Sequence, residues 1–409
     1  MAQRSPPAPF RVDQVLAADA GPALFRSRFI SSRQGVQTHA ASAVELLDGR
    51  VRAFWYAGSH EGAPDVEVRT AVFDPAREAW GEEGVVASAG TTQGSVRRFV
   101  RRIGNAVAGR AADGSLRLFY VTGSVGGWVG SSITVMTSRD EGATWSPARR
   151  LITSPFLNLS TLVRSGPFLY ADGTMGLPVY HEFLGKFGEV LRLDVSGTVI
   201  DKERLGEAGS GLQPVVLVRS PREALVLLRS GGGSSRPRRV LGATTADSGG
   251  HWTQPVPTPL RNPDASLSGI VLADGRIVVV LNDVEEARES LSLVISLDGG
   301  KRWRTIYQLE DQLARRDQPN EDEYSRTIEG EVRTSDASVQ DPRPYATSVK
   351  RVTYWGRRYH FEFSYPYLVG TTRGAFHVLY TWNKSFIKDV EFNRAWLDER
   401  VAEASDAGH

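Results

Sequence analysis

The chain has 409 residues, 41% of them hydrophobic and 9% aromatic, with 41 glycines and 21 prolines; this excludes wholesale disorder and describes a globular fold with many turns. Its 49 Lys+Arg against 47 Asp+Glu leave a formal net charge of +2, too little for a phosphate-neutralising surface, which argues against a nucleic-acid partner. With no cysteine, a disulfide framework, a thiolate zinc site and a cysteine nucleophile all drop out.

The N-terminal stretch MAQRSPPAPFRVDQVLAADAGPALF lacks the apolar run of roughly 7–15 residues that a secretory signal needs, and no run of about 18 apolar residues occurs anywhere. The expectation is a chain without a membrane span, in the cytoplasm. Short alternating or apolar strands then follow in series: LRLFYVTG, SSITVMTS, GIVLADGRIVVVLND and LSLVISLDGG, with Asp-Gly pairs suited to hairpin turns. The glycine-rich GSVGGWVGSS (123–132) reads as a hairpin, or as a Trp-tipped platform for a glycan. Residues 309–345, rich in charge and in Ser, Asn, Gln and Pro, read as a long loop or insertion. VTYWGRRYHFEFSYPYLV and FHVLYTWN supply the last strands, and 386–409 reads as a short C-terminal helix with a loose tail. No long amphipathic helix is expected before that point.

A repeat organises these strands. Ser/Thr-x-Asp-x-Gly-x-x-Trp occurs as SRDEGATW (138–145), TADSGGHW (245–252) and SLDGGKRW (296–303), with partial copies around Asp74 and Asp194. The aspartates are spaced by 66, 54, 53 and 51 residues (140−74, 194−140, 247−194, 298−247), about one four-stranded blade each. The fold class is therefore all-β: one six-bladed β-propeller over residues 1–385, its edges protected by closure, with the sixth blade completed by an N-terminal strand. Asp140, Asp247 and Asp298 are scaffold. Aspartate accepts its own turn's N–H groups, glycine supplies a positive φ, and tryptophan packs its ring.

Asp-boxes on six blades resemble the sialidase superfamily, in the bacterial branch described as predicted neuraminidases. That resemblance implies arginines for a sugar carboxylate, a tyrosine nucleophile with a glutamate partner, and an acid for the leaving oxygen. Family spacing puts one arginine 15 residues before an Asp-box tryptophan, at Arg288 before Trp303, and another 16 residues after the glutamate position, at Arg229 after residue 213. Two positions depart from the pattern. The glutamate position is Gln213, a neutral amide that cannot act as a base, and the first arginine position is His39. Thr381 in LYTW likewise replaces the glutamate that supports that arginine, so this corner reads as rebuilt as a unit. The tyrosine falls at Tyr365 in FSYPYLV, with Tyr367 two residues on, and the acid at Glu61 or Asp65. In PVYHEFLGKFGE, His181 beside Tyr180 and Glu182 offers a further acid–base candidate, although adjacent strand residues face opposite ways.

The leading functional reading is an exo-glycosidase that hydrolyses a terminal acidic sugar, its partner an acidic glycan, with no cofactor and no metal. Two readings stay beside it: a hydrolase or lyase on a uronic acid glycan using His39 or His181 with a tyrosine, and a carbohydrate-binding propeller without turnover.

Overall fold

Six antiparallel sheets of four or five strands form in the computed structural model, which describes residues 6–12, 21–32, 34–124, 127–154, 158–183, 185–231, 238–315, 320–355 and 358–406. From the axis outward, blade 1 runs Gln37–Glu45, Val51–Gly58, Glu67–Asp74 and Ala79–Trp80, and blade 2 runs Arg102–Arg110, Leu116–Gly123, Ser131–Ser138 and Arg149–Arg150. Blade 3 comprises Thr161–Val163, Met175–His181, Phe187–Leu193 and Val199–Leu205; blade 4 comprises Leu212–Val218, Ala224–Arg229, Arg239–Thr245 and Val256–Arg261. Blade 5 is Ser268–Val271, Ile277–Leu281, Ser290–Ser296 and Arg304–Asp311, and blade 6 is Phe363–Gly370, Ala375–Trp382 and Phe386–Asn393. The inner strand of blade 6 packs on those of blades 5 and 1, so the ring closes.

Closure uses the N-terminus, as the sequence suggests: Phe25–Phe29 pairs antiparallel with Phe386–Asn393 as the outermost strand of blade 6. Asn393 latches the seam, its side-chain oxygen accepting from the Leu24 and Trp396 amides and its amide donating to the Pro22 carbonyl. This arrangement explains why there are five Asp-box positions and not six. Each box joins the third strand of a blade to its fourth, and in blade 6 those strands come from opposite ends of the chain. In the boxes themselves, Asp247 accepts from the His251 amide (2.9 Å) and the Thr245 hydroxyl (2.8 Å), and Asp298 accepts from the Arg302 amide (2.8 Å) and the Ser296 hydroxyl (3.0 Å).

Several expectations are corrected. Residues 386–393 are a strand, not the start of a helical tail; the helix is Arg394–Asp406. The charges in FIKDVEFN disguise it, because each is buried against a partner: Lys388 with Glu310 (2.6 Å), Asp389 with His377 (3.1 Å) and Glu391 with Arg28 (2.8 Å). The 309–345 segment is not a loop either. It begins as the end of blade 5 and then forms helices Glu321–Ser335 and Arg343–Thr353. Tyr324, Ile328 and Val332 recur every four residues and are buried, so an amphipathic helix is present well before the C-terminus. Its polar composition belongs to the other face. The insertion packs beside blade 6, where the Ser27 hydroxyl bonds the Ser335 carbonyl and the Phe29 amide bonds Asp336. The Val352–Thr353 start of the expected last blade is the end of the second helix, and the inner strand begins only at Phe363. Among the described residues no helix is long and apolar enough to cross a membrane.

Candidate active site

Each blade places a non-glycine residue of positive φ early in its inner strand or shortly ahead of it: Ala40 (55°), Asn105 (32°), Ser160 (56°), Gln213 (53°), Asp264 (63°) and Tyr365 (53°). In blades 1, 2, 4 and 6 the pairing register shifts there, between His39 and Ser42, Gly104 and Ala106, Leu212 and Val215, and Ser364 and Tyr367. Such bulges bend a strand and re-aim its side chains, and a left-handed backbone costs free energy at a residue with a Cβ. The repetition concentrates strain at one mouth of the channel.

Tyr365 is the hub of that mouth. Its ring lies 4.3 Å from the His39 ring, centre to centre, and the guanidinium carbons of Arg164 and Arg288 stand 5.3 and 5.9 Å from its centroid. Arg229, paired with Asp264 at 3.4 Å, and buried Tyr180 are also its neighbours. Gln213 joins through Tyr180: its amide donates to the Tyr180 hydroxyl at 3.3 Å, Asn105 donates to the same oxygen at 3.2 Å, and the Gln213 carbonyl oxygen has no partner. Tyr367 takes a different course. The bulge interrupts the alternation, and its hydroxyl approaches Gly166 of blade 3, where an added Cβ would come within 2.4 Å.

Arg164 spans the channel. From the end of the inner strand of blade 3 its guanidinium donates to the Tyr365 (2.7 Å) and Pro366 (3.0 Å) carbonyls on blade 6. With Tyr367 and Arg11 it also lines a cavity of about 220 Å³.

The expected residues divide. His39, Gln213, Arg229, Arg288, Tyr365 and Glu61 converge. Burial drives the His39 pKa from 6.5 down to about 3, so the imidazole is neutral, and its Nδ1 has no partner. Glu61 lies on an exposed loop, yet its carboxyl is crowded enough, beside the buried Tyr56, that desolvation raises its pKa. Asp65 instead staples that loop, accepting from the Ser59 amide (3.0 Å) and hydroxyl (2.9 Å); partial burial pulls its pKa up, but these bonds bring it below the usual value. His181 turns away from the mouth, bonded to Glu189 at 3.1 Å and stacked on Phe187 at 4.5 Å, while its neighbour Tyr180 enters the cluster. The tip of the 123–132 hairpin lies outside the described residues.

Sequence reading missed Arg164, Tyr56, Asp264, Glu362 and Lys384. Glu362 sits 3.4 Å from Arg288 and 3.2 Å from Lys384; burial would raise its pKa, and the two cations outweigh it and hold it low. Its signal was local: it lies three residues before Tyr365 in FEFSY, beside the strand already under suspicion. Arg164 carried no local signal. Among the described residues no group of three or more His, Asp or Glu is placed to hold a metal ion. The cluster has the parts for acid–base and nucleophilic chemistry on an anionic ligand: a phenol among cations, a carboxyl held towards its protonated form, and a neutral imidazole.

A family model for a BNR repeat-like domain matches residues 49–378. No curated protein matches the chain. Among solved structures it superposes on a Hadza microbial sialidase with a TM-score of 0.63 at 14% identity, covering 88% of this chain and 66% of that one. A protein of unknown function from Dyadobacter fermentans gives 0.64 at 11% identity, covering 90% and 98%, and the NanB sialidase from Streptococcus pneumoniae gives 0.61 at 10%, covering 89% and 70%. The chain spans about two thirds of the length of these two sialidases. At such identities the likeness establishes the fold.

Proposed function

Because the chain belongs to the BNR repeat-like domain family, we propose that it is a sialidase-like, glycan-active enzyme, an exo-glycosidase that hydrolyses a terminal acidic sugar. The observation that carries this reading is the setting of Tyr365, held on a strained bulge against His39 and among guanidinium groups. Arg229 and Arg288 face the sugar's carboxylate, and the Tyr365 oxygen attacks the anomeric carbon as Glu61 protonates the departing glycosidic oxygen. Water then attacks the same carbon, giving its proton to the Glu61 carboxylate and releasing Tyr365. Gln213 accepts no proton here. The phenol proton passes to neutral His39, whose ring lies against Tyr365 and whose Nδ1 has no partner, and returns when Tyr365 departs; Arg164, Arg229 and Arg288 offset the charge that develops on the phenol oxygen.

The test is product release from a fluorogenic sialoside and a matching fluorogenic uronide by the protein and by Tyr365→Phe. Release from neither substrate, or equal rates in the variant, sinks the glycosidase reading.

A uronate lyase is the second reading, and neutral His39 at the position of an arginine, against Tyr365, favours it. An imidazole–phenol pair can remove the proton beside a carboxylate and protonate the leaving oxygen. Ultraviolet absorbance of an unsaturated product from uronate oligosaccharides separates the two; binding with no product at long incubation identifies a lectin-like propeller instead.

A further inference from the structure

Lys384 stands at the tip of the hairpin that joins Ala375–Trp382 to Phe386–Asn393 in blade 6. Asn383 and Lys384 both have positive φ, 49° and 52°, in the three-residue turn between Trp382 and Phe386; asparagine tolerates that backbone well and lysine does not. The turn is tied down on both sides. The Thr38 amide donates to the Lys384 carbonyl (2.9 Å), the Asn383 amide to the Glu362 carbonyl (2.7 Å), and the Glu362 amide to the Asn383 side chain (2.9 Å). These bonds seat the hairpin next to His39 and place the lysine ammonium 3.2 Å from the Glu362 carboxylate, whose other oxygen faces Arg288 at 3.4 Å.

Among the described residues four cations surround the mouth, and they are not equally exposed. Arg164 is buried and donates to the Tyr365 and Pro366 carbonyls, and the Arg229 side chain is 12% exposed and paired with Asp264. Arg288 and Lys384 are 27% and 41% exposed. Both also line a cavity of about 520 Å³, together with Glu289, Glu362 and, at the end of the helical insertion, Val352 and Thr353. The corner that His39 occupies contributes no cation of its own, because its imidazole is buried and neutral.

We propose that Lys384 joins Arg229 and Arg288 in binding the carboxylate of the substrate sugar at the mouth, supplying a positive charge beside His39, which carries none. The proposal rests on the glycan-active reading above. An ammonium offers a compact point charge where a guanidinium would offer a fork, so recognition here depends on charge more than on bidentate geometry.

The experiment is calorimetric or ligand-observed NMR binding of N-acetylneuraminic acid and glucuronic acid, each beside its neutral methyl ester, to the full chain, Lys384→Ala and Lys384→Arg, with melting curves confirming that the variants fold. The full chain is expected to prefer one of the acids over its ester, Lys384→Ala to lose about tenfold or more of that preference, and Lys384→Arg to keep most of it. An undiminished preference in Lys384→Ala overturns the proposal and leaves the functional reading standing. If the full chain binds neither acid, the functional reading itself fails, and the assignment of Lys384 with it.

Discussion

The rings of His39 and Tyr365 lie 4.3 Å apart although the residues are 326 positions apart in the chain (365−39). They meet at the seam where blade 1 packs on blade 6, and each stands at a bulge, with positive φ at Ala40 and at Tyr365 itself. Closure of the ring therefore creates the candidate site. Neither strand holds it alone.

Removing the phenol oxygen isolates chemistry from binding. Tyr365→Phe keeps the ring, the bulge and its cation contacts, so stability should change by less than about 1 kcal/mol. Turnover of an acidic glycoside should fall by about a hundredfold or more while ligand affinity is retained, since the phenol acts in bond-making. Steady-state kinetics and binding on the same preparation decide this, and a variant that keeps full activity removes Tyr365 from the mechanism.

Glu61 and Asp65 should separate by pH. A raised carboxyl pKa keeps Glu61 protonated to higher pH, so kcat should decline as pH rises through that value, and Glu61→Gln should be slow and lack this limb. Asp65 has a lowered pKa and is ionised at neutral pH, so Asp65→Asn should retain the profile and lose at most several-fold in rate through a looser loop. A profile that follows Asp65 instead reverses the assignment.

Burial of neutral His39 makes a prediction about stability. Its pKa is near 3 in the fold against 6.5 unfolded, so below pH 6.5 the unfolded chain takes up a proton that the folded chain does not. The folded state should lose free energy as pH falls from 6.5 towards 3, about 2 kcal/mol of it by pH 5, and nothing on this account above pH 7. Urea denaturation of the protein and of His39→Gln at pH 7 and pH 5 tests this; parallel shifts in both would show that His39 is not the source.

The seam offers a purely structural test. Asn393 is buried, and hydrogen bonds of its side chain tie Leu24, Pro22 and Trp396 to the end of blade 6. Asn393→Ala should cost about 2–3 kcal/mol, because it orphans backbone groups at the closing strand. Limited proteolysis should then cut ahead of Phe25 faster than in the parent chain. Unchanged cleavage and an unchanged denaturation midpoint would mean that strand pairing alone closes the ring.

Much of the scaffold was legible in sequence because its signals are local. Asp247 and Asp298 bond groups within four residues of themselves, so the Asp-box spacing counts blades without any knowledge of contacts. Arg229, Arg288, His39 and Tyr365 lie in or beside strands of four different blades, and the repeat makes those strands legible too. The errors arose where burial and pairing override composition. Lys388, Asp389 and Glu391 made a buried strand look like an exposed helix, and the polar face of Glu321–Ser335 hid the stripe of Tyr324, Ile328 and Val332.

By itself, then, the sequence determined a six-bladed, Asp-boxed propeller and the positions from which its inner side chains issue, because turn chemistry and strand period act over a few residues. Only the tertiary structure decided which of those side chains share the mouth. Arg164 reaches Tyr365 across 201 residues, Lys384 enters beside His39 on a left-handed turn, and His181 gives way to Tyr180 by strand alternation. Those outcomes depend on ring closure and on bulges that reset the direction of side chains, and neither is written in any contiguous stretch of the chain.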